Sequence, residues 1–165
     1  MTRIREQVRI DSPTENVWAV LADLASVQNY SPGVSAARYT SQHREGVGAS
    51  RHCDLEPKGY VEERTVSWDE GRAYTIEIFD GTPLMIMKEV FAHFSLAGAE
   101  RGTTVTFTME YATKFGPAGG LMDALFIRRQ FRKSVSGILA GLKRYVETGE
   151  PVAAADPAGV KAATA

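Results

Sequence analysis

The sequence has little of three things: cysteine, net charge and long apolar runs. Cys53 is the single cysteine among 165 residues, which excludes an intramolecular disulfide and the zinc sites built on paired cysteines. Basic and acidic residues number 19 and 20, and this balance argues against a nucleic acid as partner. No apolar run approaches the length that spans a bilayer, and the first residues show no signal segment. We therefore expect a cytoplasmic protein without a membrane span.

The residue types used in metal and nucleophile chemistry do not form motifs. His43, His52 and His93 are too dispersed for a metal site, and no serine stands in a nucleophile elbow. Cys53 is interpreted as a small core residue, the commoner role of a lone strand cysteine. We expect no metal and no cofactor.

The segment 117–147 has the apolar periodicity of a long amphipathic helix. Gly137 and Gly141 lie inside it and each costs about 1 kcal/mol relative to alanine, so they indicate either close packing or open volume beside the helix. The predicted apolar stripe comprises Leu121, Leu125, Phe131, Val135, Ile138, Leu142 and Tyr145. We expect this helix to cover a sheet and to border a ligand cavity.

The amino-terminal part predicts one strand and a capped helix. Residues 4–10 alternate apolar and polar side chains, as in a half-buried strand. Ser12, Pro13 and Glu15 then fit a capping box with Ser12 as the N-cap. The helical pattern fades at residues 30–33, where proline and glycine predict a turn.

Residues 34–111 predict six short strands joined by turns. With the first strand they make a seven-stranded curved antiparallel sheet wrapped around the long helix, with two short helices after the first strand, an α+β fold. We expect one domain over residues 1–150 and a disordered tail over 151–165, where alanine, glycine and proline dominate.

Three motifs resemble a known family. Residues 10–18 lead from a strand into a proline-started helix with Val-Trp, residues 63–69 form a Glu-Arg hairpin, and residues 102–106 open the last strand with Gly-Thr. In this order they resemble the START-like (SRPBCC) superfamily, in its polyketide cyclase/dehydrase-like branch. The resemblance implies a helix-grip fold with a cavity for hydrophobic or lipid-like small molecules. The hormone-receptor branch carries a ligand-contacting glutamate in a similar hairpin, and this implies such a role for Glu63.

Hairpin arithmetic predicts which side chains face the helix. A turn at residues 70–71 places Ser67 opposite Tyr74, Thr65 opposite Ile76 and Glu63 opposite Ile78. The residues predicted to face inward are Glu63, Tyr74, Ile76 and Ile78. An inward carboxylate needs a partner or a ligand, so Glu63 is the predicted polar anchor.

The neighbouring strands leave alternatives. On residues 49–55, one of two sets faces inward, either Arg51, Cys53 and Leu55 or His52 and Asp54. Apolarity favours the first set, which would let Arg51 neutralise Glu63; the alternative is that both are solvated at a strand edge. On residues 85–96 apolarity does not decide between the two faces, and on the last strand Val105, Phe107, Met109 and Tyr111 point inward. The predicted ligand-binding residues are Glu63, Arg51, Tyr74, Ile76, Ile78, Met87, Phe91, His93, Phe107, Met109, Phe131, Val135 and Ile138.

Three functions fit this pattern. The leading hypothesis is binding of a hydrophobic or aromatic small molecule between the last helix and the sheet, by a monomer or homodimer. The second is a cofactor-independent polyketide cyclase/dehydrase-like lyase or isomerase, using groups such as Glu63, Arg51 or His93 as acid or base. The third is a protein-interaction module without a ligand cavity. The sequence leaves the ligand's identity open.

Overall fold

The computed structural model describes residues 1–114 and 116–152. Four α-helices, two short 3-10 helices (Leu24–Ser26 and Thr82–Met85) and seven strands succeed one another along these residues, and a π-helical turn, Asp123–Ile127, links the last two α-helices. The elements are β1 (Thr2–Ile10), α1 (Thr14–Ala22), α2 (Val27–Tyr30), β2 (Val34–Tyr39), β3 (Ser50–Leu55), β4 (Tyr60–Asp69), β5 (Ala73–Gly81), β6 (Met87–Ala99), β7 (Gly102–Thr113), α3 (Gly116–Met122) and α4 (Arg128–Thr148).

The seven strands form one antiparallel sheet in the order β1-β7-β6-β5-β4-β3-β2. Consecutive strands are neighbours except β1, which pairs with β7 from Thr2 opposite Tyr111 to Ile10 opposite Thr103. The predicted architecture is confirmed. Because side chains alternate along each strand, the sheet has an inner face toward the helices and an outer face toward solvent.

The core lies between the inner face and the helices. Strand β7 turns Val105, Phe107 and Met109 inward, as its alternation predicted, and all three are buried. Val135 and Leu142 of α4 are fully buried against the sheet and the amino-terminal helices. The carboxyl-terminal half of the last helix therefore closes the core.

The first part of the helix predicted over residues 117–147, which the structure divides into α3 and the π-helical turn, departs from the predicted apolar stripe. Leu121 and Leu125 are 65% and 58% exposed. The π-helical turn shifts the phase of the side chains, because a π turn holds more residues than an α turn. Asp123 faces inward there, and its carboxylate accepts hydrogen bonds from the Tyr111 hydroxyl and, at 2.8 Å, from Thr2 Oγ1. The stripe prediction is wrong at Leu121 and Leu125.

The two helix glycines have different surroundings. A side chain at Gly141 would overlap the backbone carbonyl of Tyr30, so this glycine permits close packing of α4 on α2. At Gly137 a Cβ would meet only Pro32, at an ordinary contact distance of 3.8 Å. Of the two predicted readings, close packing is the correct one for Gly141.

The cap of α1 differs from the predicted capping box. The helix begins at Thr14, and the Pro13 carbonyl accepts its first hydrogen bonds, from the N–H of Asn16 at 3.1 Å and of Val17 at 3.2 Å. The Ser12 hydroxyl accepts instead from the side-chain amide of Asn16 at 3.3 Å. The prediction of Ser12 as N-cap is wrong because Pro13 occupies the cap position with extended backbone dihedrals.

The ordered domain extends beyond the expected boundary at Glu150. Val152 is 4% exposed, and its N–H donates to the carbonyl of Asn29 at 2.8 Å. The chain therefore packs back on α2 after α4 ends, contrary to the expectation of disorder from residue 151. Residues 153–165 of the expected tail lie outside the described residues.

Candidate functional site

A buried ion pair lies on the inner face where β3 and β4 meet. Arg51 is directly opposite Glu63 in the ladder, and its Nε donates to Glu63 Oε2 at 2.5 Å. The side chains are only 5% and 11% exposed. Arg51 also donates to the backbone carbonyl of Leu24, which ties the pair to the segment between α1 and α2. Burial opposes the charged form of Arg51, but the Glu63 carboxylate, together with smaller contributions from Cys53, Tyr30 and Tyr74, outweighs it and holds the pKa of Arg51 well above its ordinary value.

Two tyrosine hydroxyls lie beside this pair. Tyr30 and Tyr74 are both fully buried, and neither hydroxyl has a hydrogen-bond partner among the described residues. The two hydroxyls and the Arg51 guanidinium lie close together, and beside the larger effect of burial the contact between the hydroxyls lowers the pKa of Tyr30 and raises that of Tyr74, although neither hydroxyl meets the distance and angle of a hydrogen bond. Burial raises the pKa of Tyr30 to about 12 and that of Tyr74 well above its ordinary value, so both keep their protons at neutral pH. The site therefore presents two protonated donors that lack acceptors.

Tyr30 is a site residue that sequence reasoning missed. It was interpreted only as the beginning of a turn, because the following proline and glycine dominate the local pattern. A large aromatic residue closing the short helix α2 was the available signal, since such a residue is usually buried.

Cys53 completes the polar cluster but carries no nucleophile chemistry. Its Sγ donates to Glu63 Oε2 at 3.8 Å. Burial raises the pKa of the thiol to about 12, with the Arg51 charge acting in the opposite direction. Because the thiolate is the reactive form, a thiol with this pKa is inert near neutral pH.

An aromatic wall backs the cluster. The Tyr74 ring lies 6.0 Å from Trp18, 5.6 Å from Trp68 and 5.3 Å from Phe94, measured between ring centroids. Glu70 in the β4–β5 turn accepts from both indole nitrogens, from Trp18 at 2.9 Å and from Trp68 at 2.6 Å. These contacts fix the Tyr74 ring, so its hydroxyl is held rigidly beside Arg51.

The β4–β5 hairpin agrees with the predicted register except near its turn. Glu63 opposes Ile78 and Thr65 opposes Ile76, as the arithmetic required. A bulge between Thr65 and Ser67 then shifts the pairing, so that Ser67 opposes Thr75 and Tyr74 opposes Trp68. The predicted pairing of Ser67 with Tyr74 is wrong, although Tyr74 and Ile76 are buried on the inner face.

A second bulge separates the predicted residues of β6. The register shifts between Met87 and Glu89, so Met87 is buried together with Val90. Farther along the strand Phe91 lies opposite Glu110, and His93 opposite Thr108, on the outer face. Phe91 and His93 therefore do not join Glu63 in the interior, contrary to prediction, because the bulge reverses the alternation.

The remaining predicted residues lie in or near the packed interior. Phe107, Met109 and Val135 are buried core residues. Phe131 packs on Tyr111 with a centroid distance of 4.9 Å and is partly exposed. Apolar side chains that pack on the core yet remain partly exposed include Leu55, Ile78, Leu84, Phe131 and Ile138.

A cleft of about 630 Å³ lies on the outer face of the sheet, opposite the helices. Strands β1, β7, β6, β5 and β4 all contribute to it. Its lining residues are Arg3, Arg5, Val66, Ser67, Thr75, Phe91, His93, Ser95, Thr106, Thr108 and Glu110. Phe91 and His93, predicted for the interior, belong to this cleft.

Metal ligands do not converge in the described part of the chain: no three His, Cys, Asp or Glu side chains come together there as a cation site requires. Among the helices within residues 1–114 and 116–152, none is both long and apolar enough to cross a membrane.

One protein family matches most of the chain. Residues 1–147 match the model described as polyketide cyclase / dehydrase and lipid transport. The chain belongs to this family. No curated protein matches the sequence. The match extends from β1 almost to the end of α4, so the matched range covers the positions of the buried ion pair and of both tyrosines.

Solved structures show the same fold at low sequence identity. Protein TTHA0849 of Thermus thermophilus has a TM-score of 0.74 at 20% identity, with 90% of this chain and 99% of that chain covered. A START superfamily protein of Mycobacterium smegmatis has a TM-score of 0.72 at 11% identity, covering 88% and 97%. Major latex-like protein 151 of Panax ginseng has a TM-score of 0.61 at 17% identity, covering 79% and 95%. These likenesses confirm the predicted fold, and the family match confirms the predicted polyketide cyclase/dehydrase-like branch.

Proposed function

We propose that this protein binds a hydrophobic or aromatic small molecule between the last helix and the inner face of the sheet. The Arg51–Glu63 pair and the hydroxyls of Tyr30 and Tyr74 form the polar end of the site. The ligand's apolar body contacts partly exposed apolar side chains of the core beside this polar end.

The observation that carries the proposal is the pair of buried hydroxyls without partners among the described residues. A buried donor without an acceptor costs about 1–3 kcal/mol of folding free energy. Two such hydroxyls side by side are therefore unfavourable unless a bound ligand supplies the acceptor. Because the raised pKa of Tyr30 and of Tyr74 keeps both protonated, they suit a ligand that brings an acceptor, such as a carbonyl oxygen. Arg51 and Glu63 beside them are already paired with each other, so they hold the polar end of the site in place without needing the ligand.

The apolar surroundings support a hydrophobic ligand body. Ile78 lies directly opposite Glu63, and Leu55 follows Cys53 on the same face of β3. Both side chains are partly exposed although they pack on the core. Partly exposed apolar side chains therefore adjoin the polar cluster, which fits the lipid transport named in the family description.

A cyclase-type enzyme is the second candidate, favoured by the same two hydroxyls. Protonated donors held in a dry site stabilise the oxyanion of an enolate, the intermediate type that cofactor-independent cyclisations form. Arg51 adds positive charge beside them. Conversion of the ligand by the purified protein would favour this candidate, whereas stoichiometric binding without product favours a carrier.

The test replaces both tyrosines by phenylalanine and measures stability together with binding of Nile red, an aromatic probe with a carbonyl group. Removing two unsatisfied buried hydroxyls should raise the melting temperature or leave it unchanged. Losing two donors to the probe should weaken binding about tenfold, roughly 1.4 kcal/mol. The matched control is Tyr39→Phe, which removes a hydroxyl that donates to Asp23 on the surface. Unchanged probe affinity in the double variant would refute the proposal, as would an equal loss in the control.

A further inference from the structure

One row of side chains crosses five strands on the outer face, along the floor of the cleft. The strand registers place Arg5 opposite Thr108, Thr108 opposite His93, His93 opposite Thr75, and Thr75 opposite Ser67. Laterally opposed residues share a face, so the five side chains stand next to one another. Every member of this cross-strand row can donate a hydrogen bond, and none is a carboxylate.

The neighbouring row of side chains on the outer face differs because its charged residues form ion pairs. There Arg3 pairs with Glu110 at one end, and Arg64 donates to Glu77 at 2.8 Å at the other. Opposite charges facing each other across strands are the usual way a solvent face is balanced. The cross-strand row lacks this compensation: Arg5 has no ion-pair partner among residues 1–114 and 116–152. Its positive charge remains available in the cleft.

His93 is held in a defined orientation. Its Nδ1 lies 2.8 Å from the Thr75 hydroxyl. When that hydroxyl donates, the ring's Nε2 carries the proton and becomes a second donor toward the cleft. Thr108 lies between His93 and Arg5, and strands two places apart are separated by about 10 Å. This spacing leaves room for an oxyanion between the Arg5 and His93 side chains, above the Thr108 hydroxyl.

We propose that this cleft is a second binding site, for a small aromatic molecule that carries one oxyanion, either a phosphate monoester or a carboxylate. The Arg5 guanidinium, the His93 Nε2–H and the Thr108 hydroxyl bind the oxyanion. Phe91, two residues before His93 on β6 and partly exposed, packs against the aromatic ring. Glu110 is the one carboxylate among the lining residues, and its pairing with Arg3 limits its repulsion of the ligand.

The volume and position of the cleft fit this assignment. The cleft has a volume of about 630 Å³ and is open to solvent along the sheet surface, so it holds a small molecule on one side without enclosing it. The full thickness of the sheet separates it from the Arg51–Glu63 cluster, which lies on the inner face. The outer-face site therefore stands or falls independently of the proposed interior ligand.

The experiment follows the imidazole and backbone resonances of the full-length protein by NMR while phenyl phosphate, inorganic phosphate or benzoate is added at constant pH and ionic strength. His93 signals should shift with phenyl phosphate or benzoate, and whichever binds more tightly identifies the oxyanion. Inorganic phosphate should bind at least about fivefold more weakly than phenyl phosphate because it lacks a ring, and Phe91→Ala should abolish that difference.

Two variants separate this site from general charge attraction. Arg5→Gln should weaken binding at least about tenfold. Arg9→Gln, which removes another exposed arginine on the same face of β1, should change it less than twofold. Equal effects of the two variants, or shifts that spread over the surface without centring on His93, would overturn the proposal. Vesicles bearing phosphatidic acid that perturb His93 when phenyl phosphate does not would also overturn it and assign the site to a lipid headgroup.

Discussion

Gly141 and Gly137 lie one helical turn apart on α4, and replacing each by alanine should change thermal stability in opposite directions. Both substitutions gain about 1 kcal/mol of helix propensity. At Gly137 the new methyl group meets only Pro32 at 3.8 Å, so the gain remains and the melting temperature should rise by about 2–4 °C.

At Gly141 the methyl group would stand 3.0 Å from the carbonyl carbon of Tyr30 and would overlap its oxygen. Ordinary carbon–carbon contacts are about 3.5–4.0 Å, so α4 must move away from α2 by on the order of 1 Å. Because the overlapped atoms are backbone and the methyl group would also crowd Val152 Cγ2 at 3.2 Å, the cost should lie in the upper part of the usual overpacking range of about 1–3 kcal/mol, at about 2–3 kcal/mol. The net loss should be about 1–2 kcal/mol, which lowers the melting temperature by about 2–8 °C.

The assay is thermal unfolding followed by far-ultraviolet circular dichroism, with Gly137→Ala as the matched control for propensity. Because Gly141→Ala displaces Tyr30, it should also weaken Nile red binding, whereas Gly137→Ala should not. A melting temperature of Gly141→Ala at or above that of the unmodified protein would refute the close-packing argument, since it would show that the Tyr30 carbonyl yields without cost.

Two further predictions concern the chain end and pH. A chain ending at Glu150 should melt about 2–8 °C lower than one ending at Val152, because it loses a buried valine worth about 1–2 kcal/mol after ordering costs; equal melting temperatures would show that Val152 adds nothing. Hydrogen bonds to Glu62 and Asp54 raise the pKa of His52, so its stabilisation is complete below pH of about 6.5 and is lost as pH rises through the folded pKa. The melting temperature of the unmodified protein should therefore exceed that of His52→Gln by more at about pH 5.5 than above the folded pKa of His52; a difference independent of pH would contradict it.

Local alternation was enough to predict the strands, the sheet and the pairing of Arg51 with Glu63. That pairing follows from two short segments whose registers are regular, and Arg51 opposes Glu63 in the ladder as the favoured alternation required. Periodicity predicts which side chains are buried wherever the strand or helix is regular from one residue to the next. The same reasoning placed Phe107 and Met109 correctly, because β7 pairs with β1 without a register shift.

The errors in predicted burial arise where an extra residue interrupts the regular strand or helix. A bulge after Met87 reverses the facing of Phe91 and His93, and the π-helical turn moves Leu121 and Leu125 from the core to the surface. Neither irregularity has a local sequence signature, because its cost is offset by tertiary contacts such as the hydrogen bond from Tyr111 to Asp123. Tyr30 was missed for a related reason: its burial depends on α4, which is more than 90 residues away in sequence.

The pairing of the first strand with the last has a consequence for synthesis on the ribosome. Ile4 and Ile10 of β1 lie opposite Met109 and Thr103, so about 100 residues must be added before β1 finds its neighbour. At about 5–20 residues per second β1 waits roughly 5–20 s with its apolar side chains unpaired. The meander from β2 to β6 needs only nearest neighbours and can form during that interval. The nascent chain is thus most open to aggregation or chaperone capture through its first ten residues.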